Sequence, residues 1–107
     1  NLQQPNISFI AADGWFSWGS HGPEIMREYN FSIICYTEPQ YPGGSFHLEL
    51  SGSNITRTQS AVNHSAVFFF PEADFVHQGN YSCSYKVNVS LRSFTSPATE
   101  PLFITVK

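Results

Sequence analysis

The chain alternates apolar and polar residues in short runs, with a period of two. That is the signature of half-buried strands rather than helices. "ISFIA" (7–11) is the first such run. "NFSIICY" (30–36) sets Phe31, Ile33 and Cys35 on one face, and "SFHLELSG" (45–52) does the same with Phe46, Leu48 and Leu50. "NITRTQS" (54–60) is polar and β-branched, the pattern of an edge strand. In "AVFFFPEAD" (66–74) Ala66, Phe68 and Phe70 face inward, and Pro71 ends the run. "NYSCSYKVNVS" (80–90) turns Tyr81, Cys83, Tyr85 and Val87 to one side, and "PLFITVK" closes with Leu102, Ile104 and Val106. The Gly- and Trp-rich piece "GWFSWGSHGPE" reads as irregular, and "EPQYPGG" (38–44) as a turn-rich loop. About seven short strands between turn signals predict an all-β fold, an antiparallel β-sandwich.

Composition narrows what such a sandwich does. A chain of 107 residues is one domain's worth, read here as a single domain over 1–107 and as part of a larger ectodomain. The net charge of −3 provides no basic footprint, which argues against nucleic acid. No run approaches the roughly eighteen apolar residues of a membrane span, so no direct membrane insertion by this segment is expected. The amino-terminal "NLQQPNISF" has neither the basic nor the apolar region of a signal peptide.

Two cysteines, Cys35 and Cys83, could be a buried free pair, a bridge or neither, and spacing alone does not choose. The sequence N-x-S/T, however, occurs at Asn6, Asn30, Asn54, Asn63, Asn80 and Asn88. This excess of glycosylation candidates argues for an extracellular, oxidising setting in which a bridge persists. Both cysteines lie on the apolar faces of their strands. If those strands belong to opposite sheets, the sulfurs meet across a core about 10 Å thick. Tyr81, two residues before Cys83 and just after Gly79, fits a tyrosine corner.

With Cys35, Leu48, Ala66, Phe68, Phe70, Gly79, Tyr81 and Cys83 in place, nearly the whole chain resembles the immunoglobulin superfamily. It is most similar to the short C-type domains of killer-cell and leukocyte Ig-like receptors. The stretch "AVFFFPEADFVHQGNYSC" matches their strand E to strand F region in length and phasing. It also resembles Ig domains of fish immune-type and scavenger-receptor-like proteins. The resemblance implies a C-type immunoglobulin-like sandwich with one inter-sheet disulfide. Two departures stand out. Leu48 takes the place of the usual core Trp, and His77 stands where many such domains carry an Asp that pairs with an Arg. A neutral His cannot form that ion pair but can donate one hydrogen bond.

Catalytic signatures are lacking. His21, His47, His64 and His77 are scattered, no serine sits in a G-x-S-x-G elbow, and no glycine-rich loop precedes a helix. No cofactor or metal is expected. Recognition remains, either of a protein or glycan partner or by homodimerisation. The B–C loop offers Tyr36, Glu38 and Tyr41, and the F–G loop Leu91, Arg92 and Phe94, a composition favoured in interface centres. Trp15, Phe16 and Trp18 form an alternative aromatic patch, which would pack over the sandwich edge or against a neighbouring domain in a structural spacer. A homodimer would use the sheet containing strands C, F and G.

Overall fold

The computed structural model describes residues 2–11, 16–38 and 43–107. Ten strand segments run through them: β1 (Asn6–Ala11), β2 (Phe16–Trp18), β3 (Pro23–Ile25), β4 (Phe31–Tyr36), β5 (Ser45–Leu50), β6 (Thr56–Ser60), β7 (Ser65–Phe70), β8 (Gly79–Val89), β9 (Arg92–Thr95) and β10 (Leu102–Val106). A 3-10 turn, Phe75–His77, lies between β7 and β8. One sheet has the order β1-β4-β7. The other runs β2-β3-β10-β8-β5-β6, with β9 paired to β8. This is the expected β-sandwich.

Seven of the ten segments coincide with the strands expected from patterning. The other three, β2, β3 and β9, arise where backbone pairing succeeds without an alternating side-chain pattern. β2 and β3 form a hairpin inside the glycine-rich piece expected to be irregular, and β3 lies parallel to β10. The chain therefore leaves the smaller sheet after Ala11 and joins the larger one at Phe16. β9 occupies residues expected to be loop.

The inward set is the expected one. Phe31, Ile33, Cys35, Phe46, Leu48, Leu50, Ala66, Phe68, Phe70, Tyr81, Cys83, Tyr85, Val87, Ile104 and Val106 are all buried. Leu102 packs against them half-buried. Cys35 on β4 and Cys83 on β8 are disulfide-bonded between the sheets, with Cα atoms 6.3 Å apart. Leu48 is the register partner of Cys83 and packs where a Trp was expected. Paired rings make up much of the core around the bridge. Phe31 stacks on Phe70 at 4.8 Å, Phe70 meets Tyr81 at 5.8 Å, and Phe46 meets Tyr85 at 5.1 Å.

The open side between β6 and β7 is closed by polar side chains. Arg57 and Gln59 pair with Leu48 and Phe46 and so share their inward direction. Arg57 donates to the Phe69 carbonyl at 2.6 Å, and Gln59 to the Val67 carbonyl at 3.1 Å. These bonds occupy acceptors on the outer edge of β7, which would otherwise offer a template for strand addition. The Arg57 guanidinium also lies 4.6 Å from the Phe70 ring centroid, a cation–π contact. Arg57 is thus accommodated by an aromatic face, while His77 occupies the position of the expected acid.

Candidate interaction surface

β8 outruns its neighbours. β5 pairs with it only as far as Lys86, yet β8 continues to Val89 with β9 as its partner. The end of β8 and β9 therefore form a two-stranded ribbon that projects beyond the sheet. Its register alternates faces. Phe94 is opposite buried Val87 and Arg92 opposite Val89, whereas Ser93 lies opposite Asn88 on the other face and donates to the Asn88 Oδ1 at 2.6 Å. Arg92 and Phe94 are both exposed, so the core-facing side of the ribbon emerges from the core carrying a cation and a ring.

The ribbon's turn is strained. Ser90 and Leu91 have φ of 50° and 67°, left-handed values at both central positions of a two-residue hairpin. Such turns ordinarily take Asn-Gly, because a side chain at positive φ crowds the backbone. Leu91 is nonetheless fully exposed at the tip.

Of the B–C residues, Glu38 is exposed and Thr37 buried. Tyr36 is the last residue of β4 and alternates with buried Cys35, so it points to the outer face of the smaller sheet, 43 % exposed. Tyr36 ends β4 in the smaller sheet, whereas Arg92 and Phe94 belong to the β8–β9 ribbon of the larger one. Tyr41 lies outside the described residues, as does Trp15. The end of the B–C segment is anchored by the Tyr85 hydroxyl, which donates to the Gly43 carbonyl at 2.6 Å. Burial pushes the Tyr85 pKa above its ordinary value.

In the alternative patch, Phe16 meets Phe9 at 5.1 Å and Trp18 at 5.6 Å. Phe9 in turn stacks on Phe31 at 5.9 Å. Phe16 is therefore the cover over the side where the chain changes sheets, and Trp18 is the exposed end of a ring series that runs into the core.

All six sequon asparagines are exposed. Two of them are held through Oδ1: Asn30 accepts from the Glu72 amide at 3.0 Å, and Asn88 from Ser93. Neither bond uses Nδ2, the atom a glycan would occupy. Asn63 and His64 both have positive φ in the tight turn before β7. Asn80, next to buried Tyr81, faces outward beside Phe103, Pro101 and His21.

The outer face of the larger sheet carries His47, Glu49, Ser82 and Ser84 around shallow grooves. His47 and Ser84 are register partners. The His47 Nδ1 hydrogen-bonds the Thr58 hydroxyl at 2.9 Å, and its Nε2 is buried without a partner among the described residues. Among the described residues no carboxylate hydrogen-bonds the ring and no bond links it to Ser84, whereas a nucleophile–base relay needs both. Among the described residues no cluster of three or more His, Cys, Asp or Glu could hold a metal.

No protein-family model matches the chain, and no curated protein matches it. Solved structures do. The human OSCAR ligand-binding domain superposes with a TM-score of 0.62 at 23% identity, over 95% of this chain and 48% of that one. The chain thus spans about half the length of that structure. CHIR-AB1 superposes with a TM-score of 0.66 at 20% identity, over 99% of this chain and 100% of that one. Identities this low establish the fold, an immunoglobulin-like sandwich similar to leukocyte-receptor domains, in agreement with the sequence resemblance.

Proposed function

We propose that this chain is an extracellular recognition module of an immune-type or adhesion receptor. It binds a protein or glycan partner without catalysis, through the end of the sandwich where the β8–β9 ribbon projects. The observation that carries this reading is the ribbon itself. A strained turn holds Leu91 fully in solvent, with Arg92 and Phe94 on the same projection. Strain of this kind lowers stability and persists where it serves something other than folding. A guanidinium and an aromatic ring are among the side chains enriched in interface centres. The fold shared with a structure described as a ligand-binding domain supports the same reading. The excess of exposed sequons supports a glycoprotein outside the cell.

The test is staining of a cell panel with the multimerised domain, followed by Arg92→Ala with Phe94→Ala. Loss of staining in the folded double variant is expected. Staining that survives it places the partner elsewhere, and Trp18→Ala is then the next substitution, because Trp18 is the most exposed of the large aromatic residues among those described, at 69 %.

A further inference from the structure

The two outer faces of this sandwich follow different rules. The larger sheet carries exposed Glu49 and half-buried His47, Ser82 and Ser84 on its outer face, the polar side expected of an antiparallel sheet with one solvated face. The smaller sheet differs. Its three strands, "NISFIA", "FSIICY" and "SAVFFF", contain no charged residue. The strand registers arrange the outward residues as a three-by-three grid. One row is Asn6, Tyr36 and Ser65, the next Ser8, Ile34 and Val67, and the last Ile10, Ser32 and Phe69. Ile10, Tyr36, Val67 and Phe69 are 43 to 51 % exposed. Five of these nine outward residues are large and apolar and none is charged, so the face suits a small group with an apolar side.

The size of the grid selects among covers. Two inter-strand spacings by four residue steps is about 10 by 14 Å. A stable protein–protein interface takes roughly 800 Å² from each partner, several times more than this plane offers. The occupant is therefore small. One corner of the grid is Asn6, whose sequon Asn6-Ile7-Ser8 is complete and whose side chain is exposed. Its register partner is Tyr36, with Cβ atoms about 5 Å apart in such a pair.

We propose that an N-linked oligosaccharide on Asn6 is the cover. Its first sugar lies on the Tyr36 ring, and the following sugars extend over Ile34, Val67 and Phe69. The physical basis is complementarity of surfaces. A pyranose has one face of C–H groups, which packs against an aromatic or aliphatic surface. Its hydroxyls remain at the rim, in water or against Ser8, Ser32 and Ser65. No ionised group has to be desolvated on either side. Asn6 and Tyr36 form a built platform in which the attachment point and the stacking ring are cross-strand neighbours. This inference rests on the extracellular reading above, but not on the choice of binding loops.

The test uses the chain secreted from a glycosylating eukaryotic cell, with occupancy read at each sequon by mass spectrometry. Ser8→Ala removes the sequon and leaves Asn6 in place, and Ser8→Thr keeps the sequon as a control. Expected are an occupied Asn6 and, for Ser8→Ala, a roughly twofold or greater rise in fluorescence of an apolar dye. Ser8→Thr should match the parent. The proton resonances of the first sugar at Asn6 should be shifted upfield by the Tyr36 ring, and Tyr36→Ser should remove the shift with occupancy unchanged. An empty Asn6 with other sequons filled overturns this inference alone, and six empty sequons overturn the extracellular reading with it. An occupied Asn6 whose sugar resonances are not shifted by Tyr36, or whose removal leaves dye binding unchanged, also overturns it. So does a dimer, seen by light scattering with Asn6 filled, that Phe69→Ser abolishes, because a second copy then covers the face.

Discussion

The Nδ1 of His77 accepts a hydrogen bond from the Asp74 amide at 3.0 Å, while the Asp74 carboxylate accepts from the Phe75 amide at 2.7 Å. The two side chains close the 3-10 turn reciprocally, in the manner of a capping box. His77 must be unprotonated at Nδ1 to do this. Burial lowers its pKa from 6.5, Asp74 opposes that shift, and Arg57 reinforces it.

A pH dependence follows. The unfolded chain takes up the His77 proton near 6.5, whereas the folded chain resists it to lower pH. The stability due to this group is complete above about 6.5 and is lost as pH falls through that value toward the lowered native pKa. Denaturant midpoints should therefore drop between about pH 7.5 and about pH 5. In His77→Gln the drop should be smaller, because one proton-linked group has been removed. An equal drop in both proteins would assign the effect to groups other than His77.

The Tyr81 hydroxyl donates to the His77 carbonyl, which makes it the expected tyrosine corner. Burial raises its pKa well above the ordinary value for tyrosine, partly offset by Arg57. Tyr81→Phe keeps the ring contact with Phe70 and leaves the carbonyl without its donor. The expected loss is about 1–2 kcal/mol in equilibrium denaturation.

Between β9 and β10 the Ser96 and Thr99 amides still donate to the Tyr85 and Cys83 carbonyls, both at 2.8 Å, but the return bonds from the β8 amides go to side chains. The Ser96 Oγ accepts from the Tyr85 amide at 2.8 Å, and the Thr99 Oγ1 from the Cys83 amide at 3.0 Å. Both residues are buried. Thr99→Val preserves shape and orphans the Cys83 amide, at a cost of about 1–3 kcal/mol. Amide exchange at Cys83 should speed up in the same variant, since its N–H loses its acceptor.

Leu91 predicts the opposite sign. Replacing Ser90-Leu91 by Asn-Gly should raise stability by about 1 kcal/mol, because Gly accepts positive φ without steric cost. If the ribbon is the binding element, the same variant loses binding while it melts higher. A lower melting temperature would mean that the turn is not strained as its dihedral angles imply.

Removal of the Cys35–Cys83 bridge opens a loop with a sequence separation of 48. On the chain-entropy model the cost is about 4 kcal/mol. That is enough to unfold a domain of this size at body temperature or bring it close to the transition. Cys35→Ala with Cys83→Ala, followed by thermal melting, measures it.

The core was legible in the sequence because strand geometry converts alternation directly into burial. Phe46, Leu48 and Leu50, or Tyr81, Cys83, Tyr85 and Val87, need no tertiary information to be placed on one face. The tyrosine corner was legible for the same local reason: Gly79, Tyr81 and Cys83 are two residues apart. Gly79 has φ of 145°, and a Cβ there would stand 2.7 Å from Leu50 Cδ1.

Three things lay beyond that local code. The hairpin of β2 and β3 is held by main-chain pairing with β10, a strand about eighty residues away, and main-chain pairing leaves no trace in side-chain pattern. The projection of Arg92 and Phe94 depends on β8 being longer than β5, a relation between strands rather than within one. The apolar outer face left only a weak signal, the unbroken runs "IICY" and "VFFF", which show apolar residues on both sides of a strand. Only the register of three strands gathers Ile10, Ile34, Tyr36, Val67 and Phe69 beside Asn6. Sequence determines which way each side chain points along its own strand. Tertiary structure decides which strands become neighbours, and therefore which side chains share a surface.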